Sequence, residues 1–225
     1  MQVSIQQNCL LCRQSSQHLV CAYCSADLAK FDCVEHKHNL LNWPPVQRGL
    51  KTASFSNLIA LADYQWPLSS LLTALKFSAK LPNALALAEL FYQHTVSALP
   101  RLPDAIVPLP LHQSRYRQRT FNQGIEIARQ LSKLCHVPVD NNLLRRIKKT
   151  RAQTELSASQ RKRNLQNAFA LSQSQENKLH EYQHIALLDD VVTTGATMDA
   201  AYQLLASTKP GLRIDIWCIC LTLEH

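Results

Sequence analysis

The sequence predicts an α/β fold in which a parallel sheet carries helices on its faces, preceded by a small cysteine-rich module. Two observations carry this prediction. Over residues 46–225, short apolar segments of strand-like composition alternate with segments whose apolar residues recur at helical spacing. Residues 1–45 show little such periodicity, hold five of the eight cysteines and end in the turn-forming string NWPP. We therefore expect two domains, 1–45 and 46–225.

Four segments have the composition of buried strands, and helical segments separate them. The strand segments are FSNLIALADY, DAIVPLPL, HIALLDD and RIDIWCICLTL. The helical segments are PLSSLLTALKFSA, LPNALALAELFYQHTVSAL, TFNQGIEIARQLSKLC and GATMDAAYQLLAS. In the third of these, an apolar stripe runs through Ile127, Leu131 and Leu134. Because parallel strands need a crossover that is usually helical, the alternation favours a parallel sheet.

The composition indicates a folded chain, since 46% of the 225 residues are hydrophobic and 18% are charged. No apolar run approaches the roughly 18 residues that a membrane-spanning helix needs. The first residues, MQVSIQQNCLLCRQ, lack the basic segment and apolar core of a secretory signal. We therefore expect a cytoplasmic protein without membrane insertion.

The net charge of +8 indicates either an anionic partner, such as nucleic acid, nucleotide or polyphosphate, or an ordinary basic surface. The positive charge is concentrated in two segments. Residues 108–124, PLPLHQSRYRQRTFNQG, follow a strand and could hold a pyrophosphate or form a solvated turn. Residues 145–163, RRIKKTRAQTELSASQRKR, contain eight Lys and Arg residues with one acid, and form either a functional basic loop or a solvated one.

The cysteine pattern predicts a metal site in the N-terminal module. Cys9 and Cys12 form one C-x-x-C pair, and Cys21 and Cys24 form a second. In a chain without a signal peptide, this pairing favours metal over disulfides. Four thiolates can complete a tetrahedral Zn²⁺ site, and such a closed set is structural. The alternative is four free or disulfide-bonded cysteines.

The string LLDDVVTTGAT, residues 187–197, joins an apolar strand to a helix through an acidic, hydroxyl-rich turn. Ligands of open α/β sheets bind at this kind of place, outside the carboxyl ends of strands. Gly195 allows close backbone approach, and the helix N-terminus suits a phosphate. Asp189 and Asp190 then suit a ribose diol, alone or through Mg²⁺. The alternative is an acidic helix cap with threonines filling the turn.

The same string resembles the phosphoribosyl-pyrophosphate (PRPP) signature of type I phosphoribosyltransferases. The resemblance implies that Asp189 and Asp190 contact the ribose hydroxyls. It also implies that the residues after them bind the ligand and cradle its 5-phosphate: Val191, Thr193, Thr194, Gly195, Ala196 and Thr197.

Three motifs together resemble one family within this class, the ComF/GntX family, which is linked to DNA uptake in natural transformation. They are PLPLHQSRYRQRTFNQ, KKTRAQTELSASQRKRNLQNAF and LLDDVVTTGAT, in this order behind four cysteines. The chain departs from the family at Thr120, where the family has glycine. If that glycine serves a positive φ or a close phosphate approach, the geometry of this segment is altered.

The resemblance also implies where pyrophosphate and a closing loop lie. Leu111, His112 and Arg115 are the expected pyrophosphate residues, with Arg115 acting in catalysis beside Asp189 and Asp190. Residues of the second basic segment are expected to close over the substrate or to bind nucleic acid: Lys148, Lys149, Arg151 and Gln153.

The expected chemistry is Mg²⁺-dependent displacement of pyrophosphate from PRPP by a nitrogen nucleophile of unknown identity. The alternatives are a single-stranded DNA-binding protein and a PRPP sensor, both without transferase activity. Expected partners are PRPP or a related nucleotide, single-stranded DNA, and competence or recombination proteins. The aromatic residues Trp43, Tyr64 and Trp66 either stack on a base or belong to the core.

Overall fold

The computed structural model describes residues 6–50, 53–148 and 167–223. The N-terminal part consists of short elements, as the weak periodicity of its sequence predicts. In chain order they are strands β1 (Gln7–Asn8) and β2 (Ser15–Ser16), helix α1 (Ala22–Ala26), a 3₁₀ turn (Leu40–Asn42) and helix α2 (Pro44–Gly49). Proline at the first position of α2 suits a helix start, because its missing N–H would have no partner there. The domain boundary near residue 45 stays a prediction.

The larger part alternates strands and helices. In chain order its elements are β3 (Leu58–Asp63), α3 (Leu68–Ser78), α4 (Pro82–His94), a 3₁₀ turn (Val96–Ala98), β4 (Ala105–Pro108), α5 (Gln113–Arg119), α6 (Gln123–Cys135), β5 (Arg145–Arg146), β6 (Phe169–Ala170), α7 (Gln173–Glu181), β7 (His184–Val192), α8 (Ala196–Thr208) and β8 (Arg213–Leu221). The four predicted strands and the helices between them are confirmed.

Helix α7 lies in a segment, LSQSQENKLHEYQ, for which the sequence predicts only a polar connection, and two elements near the acidic turn also differ from the sequence prediction. Strand β7 does not end at the acids but continues to Val192, because Val191 and Val192 pair with β8 at Cys220 and Leu221. The basic segment after β4 does not form a simple turn, because helix α5 occupies residues 113–119. Both acids therefore sit within a paired strand, and the arginines sit on a helix.

The sheet is parallel, with the strand order β3-β8-β7-β4. All four carboxyl ends therefore face the same edge of the sheet. The central strands are nearly continuous apolar runs, and in β8 every residue after the first is buried. This pattern is expected of parallel strands covered on both faces.

Helices cover both faces of the sheet, and alternate strand residues enter two separate cores. Trp217 packs with helices α3, α4 and α6, and its ring meets that of Phe91 edge-on at 6.0 Å. Ile216 and Cys218 point the other way, into a core shared with α2, α7 and α8. The fold class predicted from the sequence, a parallel sheet with flanking helices and a four-cysteine module, is confirmed at this level.

The N-terminal part shares the cores of the larger part. Val20 and Leu28 are buried in the cluster that contains α3 and α4. The Phe31 N–H donates to the carbonyl of Leu61 at 2.9 Å, which places this segment along strand β3. Burial of these side chains ties the cysteine-rich part to the sheet.

None of the helices in the described part of the chain combines the length and the apolar character that crossing a bilayer requires.

Candidate functional site

A small cleft lies at the carboxyl end of β7, where the strand turns into helix α8. Its volume is about 250 Å³, including its open mouth. The cleft is lined by Asp189, Val191, Val192, Thr193, Thr194, Gly195, Ala196, Thr197 and Met198. The predicted phosphate residues therefore surround one space, together with the first acid. The α8 N-terminus at this cleft supplies unpaired N–H groups and the positive end of a helix dipole.

Gly195 is required by both backbone conformation and space. Its φ of +72° lies in the left-handed region, where side chains with a Cβ are strained. A Cβ at this position would also lie 3.0 Å from Cδ2 of Leu50 and 3.4 Å from Cζ of Phe55. The turn therefore packs against the segment that follows α2, and glycine is the residue that allows it.

Asp190 is buried, and its carboxylate is already partnered by two helices. Lys76 of α3 forms an ion pair with Oδ2, and Gln123 Nε2 of α6 donates to Oδ1 at 3.1 Å. The side chain of Asp190 is 5% exposed and that of Lys76 is 16% exposed. The second acid of the motif thus links the strand to α3 and α6, and it is absent from the lining of the cleft.

Asp189 is the acid that lines the cleft. Its Oδ1 accepts the backbone N–H of Asp190 at 2.9 Å. Burial, followed by the negative charge of Asp190, raises the pKa of Asp189 to about 8. A divalent cation in the cleft would favour the ionised form, since cations stabilise a neighbouring carboxylate. Carboxylate oxygen is also the ligand type that Mg²⁺ prefers.

Three arginines lie close enough for their charges to interact: Arg119 and Arg146 with the acidic pair, and Arg115 with both of them; we call these three the arginine cluster. Arg119 Nη1 donates to Gln123 Oε1 at 3.1 Å, so Gln123 bridges Arg119 and the second acid. Burial lowers the pKa of Arg119, opposed by the charges of Asp190 and Asp189. Burial likewise lowers the pKa of Arg146, with Arg115 adding to the effect and Asp189 opposing it. The cluster supplies positive charge close to the acidic pair.

The other predicted pyrophosphate residues lead into α5. Leu111 and His112 are half-buried, and Nδ1 of His112 accepts the N–H of Ser114 at 3.2 Å as the helix cap. Arg115 follows in the first turn of α5 and is exposed. His112 is thus a helix cap in this structure, and its contact with pyrophosphate stays a prediction.

Thr120 ends α5 in a left-handed conformation with φ of +63°. A β-branched residue rarely adopts this region, because its Cβ crowds the following carbonyl group. Glycine would adopt this conformation without strain, whereas threonine adopts it with strain.

We expect Thr120→Gly to raise the free energy of unfolding by about 1 kcal/mol, because it removes this left-handed strain. Urea unfolding followed by circular dichroism measures the change. Thr73→Gly is the matched control, since Thr73 is exposed within α3. There glycine should lower stability by about 0.5 kcal/mol through its weak helix propensity. A loss of stability at both positions would contradict the strain at Thr120.

The four predicted metal ligands form a single cluster. The sulfur atoms of Cys9, Cys12, Cys21 and Cys24 all lie within 4.8 Å of one another. The Sγ atoms of Cys12 and Cys21 are 3.7 Å apart, close to the roughly 3.8 Å that tetrahedral Zn–S bonds of about 2.3 Å give. The backbone N–H of Cys21 donates to Sγ of Cys9 at 3.3 Å, which favours a thiolate there. The cluster fits a structural metal such as zinc.

The remaining cysteines stay outside this cluster. Cys33 is buried beside β3, where its thiol donates to the carbonyl oxygen of Ala60 at 3.6 Å. Cys135, Cys218 and Cys220 are buried core residues, as their apolar surroundings predict. The eight cysteines all lie within the described residues, and none of them forms a disulfide there.

Some residues of the site were not predicted from the sequence, and some predicted residues lie outside the part of the chain that the structure describes. Lys76, Gln123 and Arg146 were not assigned roles, since neither a lysine in a helix nor a glutamine after a turn signals a site by itself. Lys148 is exposed after β5. Three further predicted loop residues lie outside the described residues: Lys149, Arg151 and Gln153.

The aromatic residues near the module boundary have different surroundings. Trp43 stacks on His36 with ring centroids 5.4 Å apart and meets Phe31 edge-on, so it packs within the N-terminal part. Tyr64 is half-buried against the core, whereas Trp66 is 79% exposed.

Together these features define an α/β protein with an acidic, glycine-containing turn at the carboxyl edge of a parallel sheet and a four-cysteine cluster. The chain is 38% identical over 177 residues to "DNA utilization protein YhgH" of Escherichia coli, covering 77% of this chain and 75% of that protein. It is 34% identical over 202 residues to "Competence protein F" of Haemophilus influenzae, covering 88% and 82% of the two chains. The chain therefore belongs to the ComF family.

A third relative, the YhgH protein of Salmonella typhimurium, is 36% identical over 177 residues and covers 77% of this chain and 75% of its own length. No family model matches the chain.

Proposed function

We propose that this protein binds PRPP with Mg²⁺ in the cleft beside Asp189 and acts in DNA uptake during natural transformation. One observation carries the ligand assignment: an acid, three threonines, Gly195 and the N-terminus of α8 line one small space. That combination suits a sugar phosphate, because the helix end attracts the phosphate and the acid takes the sugar or its cation.

Each group in the site has a separate task in this proposal. The N–H groups of residues 194–197 and the threonine hydroxyls bind the 5-phosphate. Asp189 binds the ribose hydroxyls, directly or through Mg²⁺, which would also neutralise charge on the pyrophosphate. The arginine cluster stabilises the pyrophosphate as negative charge grows on it. Asp190 positions α3 and α6 through Lys76 and Gln123.

This arrangement supports transfer chemistry without a nucleophilic side chain. Displacement at C1 of PRPP by a nitrogen nucleophile needs the two reactants to be held in line and the leaving pyrophosphate to be stabilised. A protein with the same ligand site but no acceptor position would be a PRPP sensor, which is the alternative to a transferase.

The role in DNA uptake rests on the names of the relatives and on the charge of the chain. The relatives are named competence protein F and DNA utilization protein. A net charge of +8 favours binding of a polyanion. Single-stranded DNA and competence or recombination proteins are the partners that fit this role, and a cytoplasmic location accords with it.

We expect Asp189→Asn to weaken Mg²⁺-dependent PRPP binding by about 100-fold, the scale of losing a charge-assisted contact of about 3 kcal/mol. Isothermal titration calorimetry with and without Mg²⁺ measures it. Asp199→Asn is the control: this acid is in the first turn of α8 but bonds to Ser54 and Gln203 instead of lining the cleft. Equal PRPP affinity in the Asp189 variant and the unsubstituted protein would reject the assignment.

A second experiment on the same purified protein distinguishes a transferase from a PRPP sensor. With PRPP and Mg²⁺ present, a panel of nucleobases is screened for pyrophosphate release. Release with one base identifies a transferase and its acceptor, whereas tight PRPP binding with a silent panel favours the sensor.

A further inference from the structure

Phe77 is an exposed aromatic residue at the end of an otherwise well-packed helix. The apolar face of α3 is buried through Leu68, Leu71, Leu72 and Leu75. Phe77 does not share that face, and it is 73% exposed. Single exposed apolar side chains are ordinary, so exposure alone assigns no role to this ring.

Arg119 covers one face of the Phe77 ring. The guanidinium carbon lies 5.2 Å from the ring centroid, within the range of a cation–π contact. Arg119 is held from its other side by the hydrogen bond to Gln123. Because the ring remains 73% exposed with the arginine in place, its second face is accessible to a planar ligand.

Phe77 is connected to Asp190 in two ways, through the chain and through side-chain contacts. Along the chain it follows Lys76, which pairs with Asp190. Through side chains it contacts Arg119, which bonds to Gln123, which in turn bonds to Asp190. A ligand stacked on Phe77 would therefore lie on the side of α3 and α5 that contacts Asp190, whose neighbour Asp189 lines the proposed PRPP cleft.

The surrounding charge indicates the kind of ligand. Further cationic side chains are exposed on the same two segments: Lys80 three residues after Phe77, and Arg115 and Arg117 on α5 with Arg119. An aromatic face within a cationic surface suits a planar group that carries phosphates, which is the combination found in single-stranded nucleic acid binding. A neutral apolar partner would gain nothing from these cations.

We propose that Phe77, backed by Arg119, is a stacking site for a nucleobase. The proposal rests on the proposed function for its setting, because the base belongs either to the acceptor of the transfer reaction or to a strand of single-stranded DNA. Both sources present the same aromatic ring, and the experiment distinguishes them.

The test compares Phe77→Ala and Phe77→Trp with the unsubstituted protein. Binding of a fluorescent oligothymidylate is measured by anisotropy at fixed salt, and binding of the free base thymine by calorimetry. Loss of one base stack should weaken binding by about 5- to 100-fold in the alanine variant, and tryptophan should retain it. An oligonucleotide of the same length without bases should bind the alanine variant and the unsubstituted protein equally.

Leu81→Ala is the control for a non-specific apolar contact, since Leu81 is 51% exposed just beyond α3. A loss confined to the oligonucleotide assigns the site to DNA, and a loss for the free base assigns it to a small acceptor. Unchanged affinities for both ligands, an equal loss in the Leu81 variant, or an equal loss with the base-free strand would each overturn the proposal. PRPP binding by the unsubstituted protein is measured separately, so failure of the PRPP assignment is recognised independently.

Discussion

Asp190→Asn is expected to lower the free energy of unfolding by about 3 kcal/mol, whereas the same change at Asp189 should cost less than about 1 kcal/mol. Removing one partner of a buried ion pair is costly because the other charge stays buried without compensation. Lys76 would be left in this state, with its side chain only 16% exposed. For a chain of this size the loss corresponds to a fall in Tm of about 6–12 °C.

The sign at Asp189 follows from its pKa. Burial raises the folded-state pKa of Asp189 to about 8, above its unfolded value of 3.8. At a pH between these two pKa values, the folded protein binds more protons than the unfolded chain. The free energy of unfolding therefore falls as pH rises and Asp189 ionises. Asparagine resembles the protonated acid and removes this dependence, so its variant should be at least as stable as the unsubstituted protein at pH 7.

A double-mutant cycle with Lys76→Met tests the partner of Asp190. The double variant Lys76→Met with Asp190→Asn should recover most of the lost stability, because a buried ion pair can be replaced by neutral residues at little cost. Urea unfolding provides all four free energies. Equal losses in the Asp189 and Asp190 variants, or strictly additive losses in the double variant, would show that the ion pair does not stabilise the fold.

Removal of the metal is expected to lower Tm by 10 °C or more, on the order of the stabilisation that structural zinc supplies to small modules. Cys12→Ser is the informative variant, because Cys12 is exposed and its replacement removes a ligand with little packing. The purified protein should contain about one zinc per chain, measured by atomic emission, on the count of four thiolates for one ion.

Cys33→Ala is the matched control for this experiment. Cys33 lies in the same part of the chain and is buried, yet its thiol bonds to the Ala60 carbonyl and not to the cluster. Its replacement should leave the zinc content unchanged. A protein that is free of metal and melts at the same temperature as the metal-containing form would disprove a structural role for the cluster.

The sequence was sufficient for the parts of this molecule that depend on local pattern. Periodicity located the sheet strands, because a strand buried on both faces must be apolar nearly throughout. The turn after β7 was recognisable because Gly195 and the threonines are adjacent in sequence. The cysteine cluster was recognisable for the same reason, since each pair of ligands is separated by two residues.

Sequence reasoning could not find what depends on distant pairing. Asp190 receives its hydrogen bond from Gln123, 67 residues away, and its counter-ion from another helix. No local pattern distinguishes Lys76 from the other lysines of the chain. Consequently the two adjacent acids looked equivalent in sequence, although only Asp189 lines the cleft. The extra residues of β7 were missed because the strand continues only where β8 is present to pair with it.

The contact between the cysteine-rich part and strand β3 has a consequence for solubility. β3 is one of the two edge strands of the sheet, and its unpaired side would offer backbone groups to another molecule. An antiparallel bridge between Lys30 and Ala62 and the Phe31–Leu61 hydrogen bond occupy that side. The cysteine-rich part therefore blocks the pairing of a strand from another molecule with β3. A chain without this part would be prone to aggregate through the exposed edge of β3.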